Sequence, residues 1–261
     1  MGRQVHVPLG RPWSMLLHEI RQVPNYQALA RTVTAYPRPV EGARRYFLQG
    51  GSYPCPWPIR TPAGIVSPTL YSPHDMLTVN EIFCRHDYPA GPDTQVVVDL
   101  GSNIGLSALW FLTRNPGVRC YLYEPVPRNV ERLLANLRGL EDRYQLEQVA
   151  VADRAGSVSF GVETSGRYGG IGLELEENIT VQCRDVNDVL TEVLERESRI
   201  DILKVDTEGL EVATVTSIQP ELLDRIRAIY LETEKPVDLH ADRFHNRYAN
   251  MTLQLTTPVS S

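Results

Sequence analysis

Only four cysteines, Cys55, Cys84, Cys120 and Cys183, are spread through 261 residues. They form no C-x-x-C pair and no dense cluster, which argues against a zinc site and a disulfide framework and leaves isolated thiols in a reducing, cytoplasmic setting. Basic tracts are missing too, and the formal net charge is -6. A protein that displaces counterions from nucleic acid needs a clustered positive face, so no nucleic-acid partner is expected. Long hydrophobic runs are absent: the most apolar uncharged stretch, Leu100 to Thr113, is bounded by Asp99 and Arg114 and falls short of the roughly 18 residues that span a membrane. No membrane partner is expected either. Near the amino terminus Trp13 to Leu17 is too short for a signal core and is flanked by Pro12, His18 and Glu19. There is no internal repeat and no low-complexity tract.

Proline, by contrast, is abundant and uneven. Of 19 prolines, 12 lie in the first 90 residues, where each fixes φ and removes a backbone donor, so that region is expected to be short elements and loops. We read residues 1–92 as an irregular, substrate-facing cap and a natural homodimer surface, and 93–261 as the catalytic domain. In the latter, apolar runs alternate with helical patterns. Gln95 to Leu100 is a buried strand, and Leu106, Leu109 and Trp110 then recur at helical spacing. Val118 to Tyr123 is the next strand, followed by a helix carrying Val130, Leu133, Leu134 and Leu137. Tyr144 to Ala152 reads as a third strand, Gly156 to Val162 as an edge strand, and Asp185 to Glu197 as a helix. Asp201 to Val205 and Ala228 to Leu231 are further buried strands, separated by a helical stretch from Leu210 to Arg227. Repeated strand-helix units of this kind predict an α/β fold, a doubly wound and mostly parallel sheet.

In such a sheet the ligand sits beyond the carboxyl ends of the strands, so the residues just after each strand carry the chemistry. The first strand ends in Asp99-Leu100-Gly101-Ser102-Asn103-Ile104-Gly105. Gly101 permits a tight turn, and Gly105 is expected to let the helix lie close to the strand. Asn103 occupies the middle glycine position of G-x-G-x-x-G, and no Lys follows to make a P-loop, so both nucleotide-phosphate readings weaken. A carboxylate beside the turn repels a pyrophosphate but suits an ammonium or sulfonium charge. That points to S-adenosylmethionine as the cofactor. Glu124, closing the second strand about 20 residues later, stands where an acidic side chain accepts ribose hydroxyls.

The segments VVVDLGSNIG, YLYEPVPRNVERLLANL, QLEQVAVADRAGSVSF and DILKVDTEGLE, in this order, resemble those of the FkbM-type methyltransferases. The resemblance covers about Asp93 to Glu234 and, more loosely, Tyr71 to Tyr88. It implies a Rossmann-like methyltransferase fold and S-adenosylmethionine-dependent methylation of hydroxyls on sugars, polyketides and related metabolites. It also implies that Asp99, Gly101 and Asn103 cradle the methionyl end, that Glu124 holds the ribose and that the stretch around Ala150 to Asp153 borders the adenine. By the same resemblance, Glu81 lies in the upstream segment that is expected to close over the methionyl group. The chain departs from the family after Glu234, where the remainder is shorter than the usual final hairpin plus strands.

Methylating an alcohol needs a base or a metal, because the alcohol's own pKa is far above neutral. Asp206 and Glu208 follow the fourth strand, and Glu232 and Glu234 the fifth; strand alternation lets each pair point one way. Asp206, Glu232 and Glu234 are candidate ligands for a divalent cation such as magnesium. Without a cation, the same crowding makes Asp206 or Glu208 a candidate general base. His240 is a third candidate for base or acceptor contact. Glu211 reads instead as a first-turn helix charge. The glycine-rich stretch Thr164 to Gly172, with Arg167 and Tyr168, reads as a lid. The expected reaction is O-methylation of a saccharide or a glycosylated or polyketide-type metabolite, the acceptor being a small molecule or oligosaccharide. The alternatives are an NAD-linked oxidoreductase on the same fold and a non-catalytic cofactor-binding protein.

Overall fold

The computed structural model describes residues 30–48, 50–162, 169–171, 177–207 and 209–258. They form two compact units, one ending at Asp87 and one beginning at Tyr88.

In the first unit the prolines keep elements short. Helix α1 (Pro39–Leu48) is followed by β1 (Cys55–Pro56), β2 (Ile59–Thr61), β3 (Gly64–Val66) and β4 (Thr69–Leu70). These make two antiparallel ribbons, β1 with β4 and β2 with β3. Helix α2 (Pro73–Val79) opens on a full capping box, in which the Ser72 side chain accepts from the Asp75 amide and the Asp75 carboxylate accepts from the Ser72 amide. Two donors that helix geometry leaves unpaired are thereby satisfied. The helix continues into a π-helical segment (Asn80–Arg85), where the Asn80 side chain donates back to the Met76 carbonyl at 3.1 Å. Tyr36, ahead of α1, and Trp57, between β1 and β2, pack edge to face, their ring centres 5.3 Å apart.

The second unit starts with β5 (Val96–Leu100), α3 (Leu106–Leu112), β6 (Arg119–Tyr123), α4 (Pro127–Asn136) and β7 (Tyr144–Glu147). Next come β8 (Ala150–Ala152), β9 (Gly156–Val162), β10 (Gly169–Ile171), β11 (Glu177–Asp185) and α5 (Val186–Arg196). The chain ends with β12 (Ile202–Val205), α6 (Glu211–Thr216), α7 (Pro220–Leu223), β13 (Ala228–Glu232), β14 (His245–Ala249) and β15 (Thr252–Thr256). Seven strands make the main sheet in the order β14-β15-β13-β12-β5-β6-β7. From β13 to β7 every pairing is parallel, and β15 joins antiparallel. The doubly wound, mostly parallel sheet expected from the sequence is therefore present, with the order reversing between β12 and β5.

Four details differ from the expectation. The run read as one strand from Tyr144 to Ala152 is two, because β8 leaves the main sheet to pair with β11 in a second sheet of order β10-β9-β11-β8. In that sheet β9 is an interior strand, not an edge. The helical stretch after Leu210 is broken, with Pro220 starting α7 as a separate turn, since a proline cannot donate to the preceding helix. The residues after Glu234 do form a hairpin, β14-β15, which adds two strands to the sheet beside β13.

The two faces of the main sheet differ in chemistry. Val96, Val98 and Leu100 of β5, Leu203 and Val205 of β12, and Ile229 and Leu231 of β13 point to one side. There they form a core with Val186, Val189, Leu190 and Val193 of α5. Each such burial contributes about 1.5–3 kcal/mol. Alternation sends Asp99, Lys204 and Tyr230 to the opposite face, where Asp99 meets Ser107 of α3.

Candidate functional site

At the carboxyl ends of β5 and β6 the chain is drawn into one compact turn. The Gly101 and Ser102 amides both donate to the Tyr123 carbonyl, at 2.9 and 3.0 Å. Gly101 has φ +80° and lies on the backbone of the next strand's exit: a Cβ placed there would stand 1.8 Å from the Asp206 carbonyl oxygen. Asn103 takes φ +47°, a left-handed conformation that asparagine tolerates better than most residues. That twist aims its amide at Glu124 Oε2, 2.8 Å away. Gly105, φ +83°, caps α3. Its closeness is to α4 rather than to the strand, because a Cβ would meet Leu133 Cγ at 3.0 Å.

Glu124 is buried at the end of β6. Its Oε1 accepts from the Val126 amide at 3.0 Å and the Asn129 side chain at 3.3 Å. Burial pushes its pKa up to about 7, against the pull of these donors, the Asn103 amide and the Lys204 charge. Its carboxylate is the tie that shapes the glycine turn. Asn129 Oδ1 beside it is buried with no partner.

The group that sequence reasoning missed is Lys204. It is 2% exposed, and its ammonium meets Asp99 Oδ1 at 3.0 Å, the Gly101 carbonyl at 3.0 Å and Asp206 Oδ2 at 3.2 Å. Burial opposes its charge, but Asp206 and Asp99 more than offset that and hold the amine above its ordinary range. The signal in the sequence was a single charge inside the apolar strand DILKV. Asp99 itself is fully buried, with its second oxygen accepting from Ser107 Oγ at 2.6 Å. The expectation that Asp99 presents its charge to a cationic ligand is therefore corrected: Lys204 neutralises it, and the carboxylate left partly open is Asp206, 29% exposed.

The proposed metal trio is not assembled. Among the described residues no group of three or more His, Cys, Asp or Glu side chains is placed to hold a cation. Asp206 faces the Lys204 ammonium, and Glu232, at the exposed end of β13, receives the Tyr88 hydroxyl at 3.3 Å. Glu234 lies beyond the last residue of β13, so strand alternation does not pair it with Glu232. Lys204 occupies the electrostatic role that a cation between Asp99 and Asp206 would have, and no ligand set for magnesium is assembled among the described residues.

His240 is placed elsewhere. β13 ends at the mouth and β14 starts at the opposite end of the sheet, since His245 pairs with Thr256 and Thr256 with Ala228, the first residue of β13. His240 lies on the crossover between them, and its Nε2 donates to the Val215 carbonyl at 2.9 Å. It fastens a loop to α6 rather than facing an acceptor. Asp153 follows β8 and sits 4.0 Å from Arg154 Nε. Glu81, in the first unit's π-helical segment, pairs with Arg85 at 3.6 Å. Glu208 lies outside the described residues, as does most of the glycine-rich stretch read as a lid, whose residues Gly169–Ile171 form β10. Glu211 behaves as a loop organiser: its carboxylate accepts from the Thr207 amide at 2.9 Å and the Gly209 amide at 3.0 Å.

Residues 99–251 match the family described as Methyltransferase FkbM domain. Methyltransferase sdnD of Sordaria araneosa is 27% identical over 201 residues, covering 60% of this chain and 73% of its own. The 2-O-methyltransferase NoeI of Sinorhizobium fredii is 31% identical over 156 residues, covering 52% of this chain and 62% of its own. The 31-O-demethyl-FK506 methyltransferase FkbM of Streptomyces tacrolimicus is 26% identical over 180 residues, covering 58% and 69%. Among solved structures, a methyltransferase FkbM from Methylobacillus flagellatus aligns with a TM-score of 0.39 at 14% identity, over 61% of this chain and 43% of that one.

Proposed function

Because the chain belongs to the FkbM methyltransferase family, we propose that it is an S-adenosylmethionine-dependent O-methyltransferase acting on a saccharide or a glycosylated or polyketide-type metabolite. The observation that carries this reading is the turn at the sheet's reversal point, folded onto Asp206 through Gly101 and tied to Glu124 through Asn103. A tight glycine turn at the sheet's reversal point and a neighbouring acidic acceptor are what a nucleoside cofactor with an amino-acid tail requires. Relatives named as a 2-O-methyltransferase and a 31-O-demethyl-FK506 methyltransferase support oxygen as the acceptor atom.

S-adenosylmethionine, when bound, supplies a methyl group already activated on a sulfonium. The turn from Gly101 to Asn103 would hold its methionyl end, Glu124 its ribose, and the stretch ending at Asp153 would border its adenine. Asp206, the partly open carboxylate at the mouth, accepts a hydrogen bond from the acceptor hydroxyl and takes its proton as the oxygen becomes nucleophilic. Fixing that hydroxyl also removes its rotational freedom before transfer. No step requires a metal.

Calorimetric titration of the protein with S-adenosylmethionine and with NAD, each with and without EDTA, tests the cofactor. Micromolar affinity for S-adenosylmethionine, no heat from NAD and no change with EDTA are expected; heat from NAD alone refutes the reading. A screen of saccharides with labelled cofactor then identifies an acceptor. With it, Asp206→Asn keeps cofactor affinity and loses turnover by about a hundredfold or more. Full turnover in that variant removes Asp206 as the base, whereas S-adenosylmethionine binding by the wild type without transfer to any acceptor leaves a cofactor-binding protein as the second reading.

A further inference from the structure

An ammonium has three N–H groups, and on Lys204 all three have an oxygen within reach, from three different places: the interior of β5, the glycine turn and the exit of β12. The amine hydrogen-bonds the Gly101 carbonyl and is ion-paired with Asp99 and Asp206, and at 2% exposure it is closed off from solvent. It acts on the site through the groups it holds. The geometry points to Lys204 as a positioning residue that couples the cofactor-holding turn to the acceptor-facing carboxylate. This rests on the cofactor reading above.

Three features support it. Asp99 is fully buried and anchors the ammonium from below, with Ser107 fixing its other oxygen. Lys204 pairs with Asp206 Oδ2 at 3.2 Å and so holds one oxygen of a carboxylate that is 29% exposed. The turn and Asp206 are also joined directly, since Gly101 has no room for a side chain against the Asp206 carbonyl and the Asp206 amide donates to the Leu100 carbonyl at 3.0 Å. A shift of the ammonium therefore moves the Gly101 carbonyl and the Asp206 carboxylate together. A buried ion pair with a purely structural role makes no such demand, and its replacement by neutral groups is often harmless to the fold.

The discriminating variant is Lys204→Met with Asp99→Asn, which removes the cation and its buried partner at once, so that no charge is stranded inside. Measured on the full chain, it is expected to melt within a few degrees of wild type, to bind S-adenosylmethionine about tenfold more weakly, one hydrogen bond's worth, and to lose about a hundredfold in kcat at saturating cofactor, as for a misplaced reacting group. Should that double variant fail to fold, Asp206→Ala and Asp206→Asn decide. Asn keeps a carbonyl oxygen for Lys204 and Ala does not, so cofactor affinity falls about threefold or more in Ala and holds in Asn. A folded double variant with wild-type affinity and kcat overturns the role of Lys204, as does equal affinity in Ala and Asn when the double variant does not fold. Failure of the wild type to bind S-adenosylmethionine overturns instead the cofactor reading on which it stands.

Discussion

The contact between Gly101 and Asp206 makes a quantitative demand. In Gly101→Ala the new Cβ would lie 1.8 Å from the Asp206 carbonyl oxygen, whereas ordinary contact begins at about 3.4 Å, so the turn and the strand exit must separate by about 1.6 Å. A separation of that size breaks the hydrogen bond from the Asp206 amide to the Leu100 carbonyl. Together with the strain of an alanine at φ +80°, the loss amounts to about 2–3 kcal/mol. For a chain of this size that is a fall in Tm of about 5–10 °C. Gly139 is the matching control: its φ is +89°, but a Cβ there meets nothing within 4 Å. Gly139→Ala should therefore lose only the conformational part, about 1 kcal/mol, or about 2–4 °C. Thermal unfolding of both variants followed by circular dichroism, with titration of S-adenosylmethionine in parallel, measures the difference. Gly101→Ala should also lose cofactor binding, while Gly139→Ala keeps it. Equal melting temperatures for the two variants would refute the steric reasoning.

Two further perturbations follow from the same site. Burial raises the Glu124 pKa from 4.5 to about 7, so the folded state holds a proton that the unfolded chain has released between these values. Its stabilising contribution is complete below pH 4.5 and is lost as pH rises through 7, on the order of 3 kcal/mol; Glu124→Gln should flatten this part of the stability profile measured by urea unfolding from pH 4.5 to 8, and an unchanged slope would contradict it. His240→Ala removes the tie to the Val215 carbonyl and should cost about 1 kcal/mol of stability with turnover retained, so a variant of wild-type stability without turnover would return His240 to the reaction.

The main strands were legible because buried parallel strands are continuous apolar runs: VVVDL, RCYLY, ILKV and AIYLE each became a strand of the main sheet. The glycine turn was legible as well, since a tight exit from a buried strand leaves few residue types at Gly101 and Gly105. Local chemistry also determined the caps, such as Ser72 with Asp75 and the Asp185 side chain at the start of α5. What each acidic residue does was decided only by tertiary structure. In the sequence Asp99, Asp206, Glu232 and Glu234 are alike, four carboxylates at strand ends. Parallel register sets Lys204 opposite Asp99; that single cross-strand pairing neutralises one carboxylate and brings the ammonium to a second, Asp206, and no acidic cluster for a metal is left among the described residues. Register joins residues more than a hundred positions apart, and composition along the chain carries no record of which of them will face each other. For the same reason His240, which follows the fifth strand in sequence, lies on a crossover that leads away from the mouth: the direction of the β14-β15 hairpin, not distance along the chain, determines where it falls.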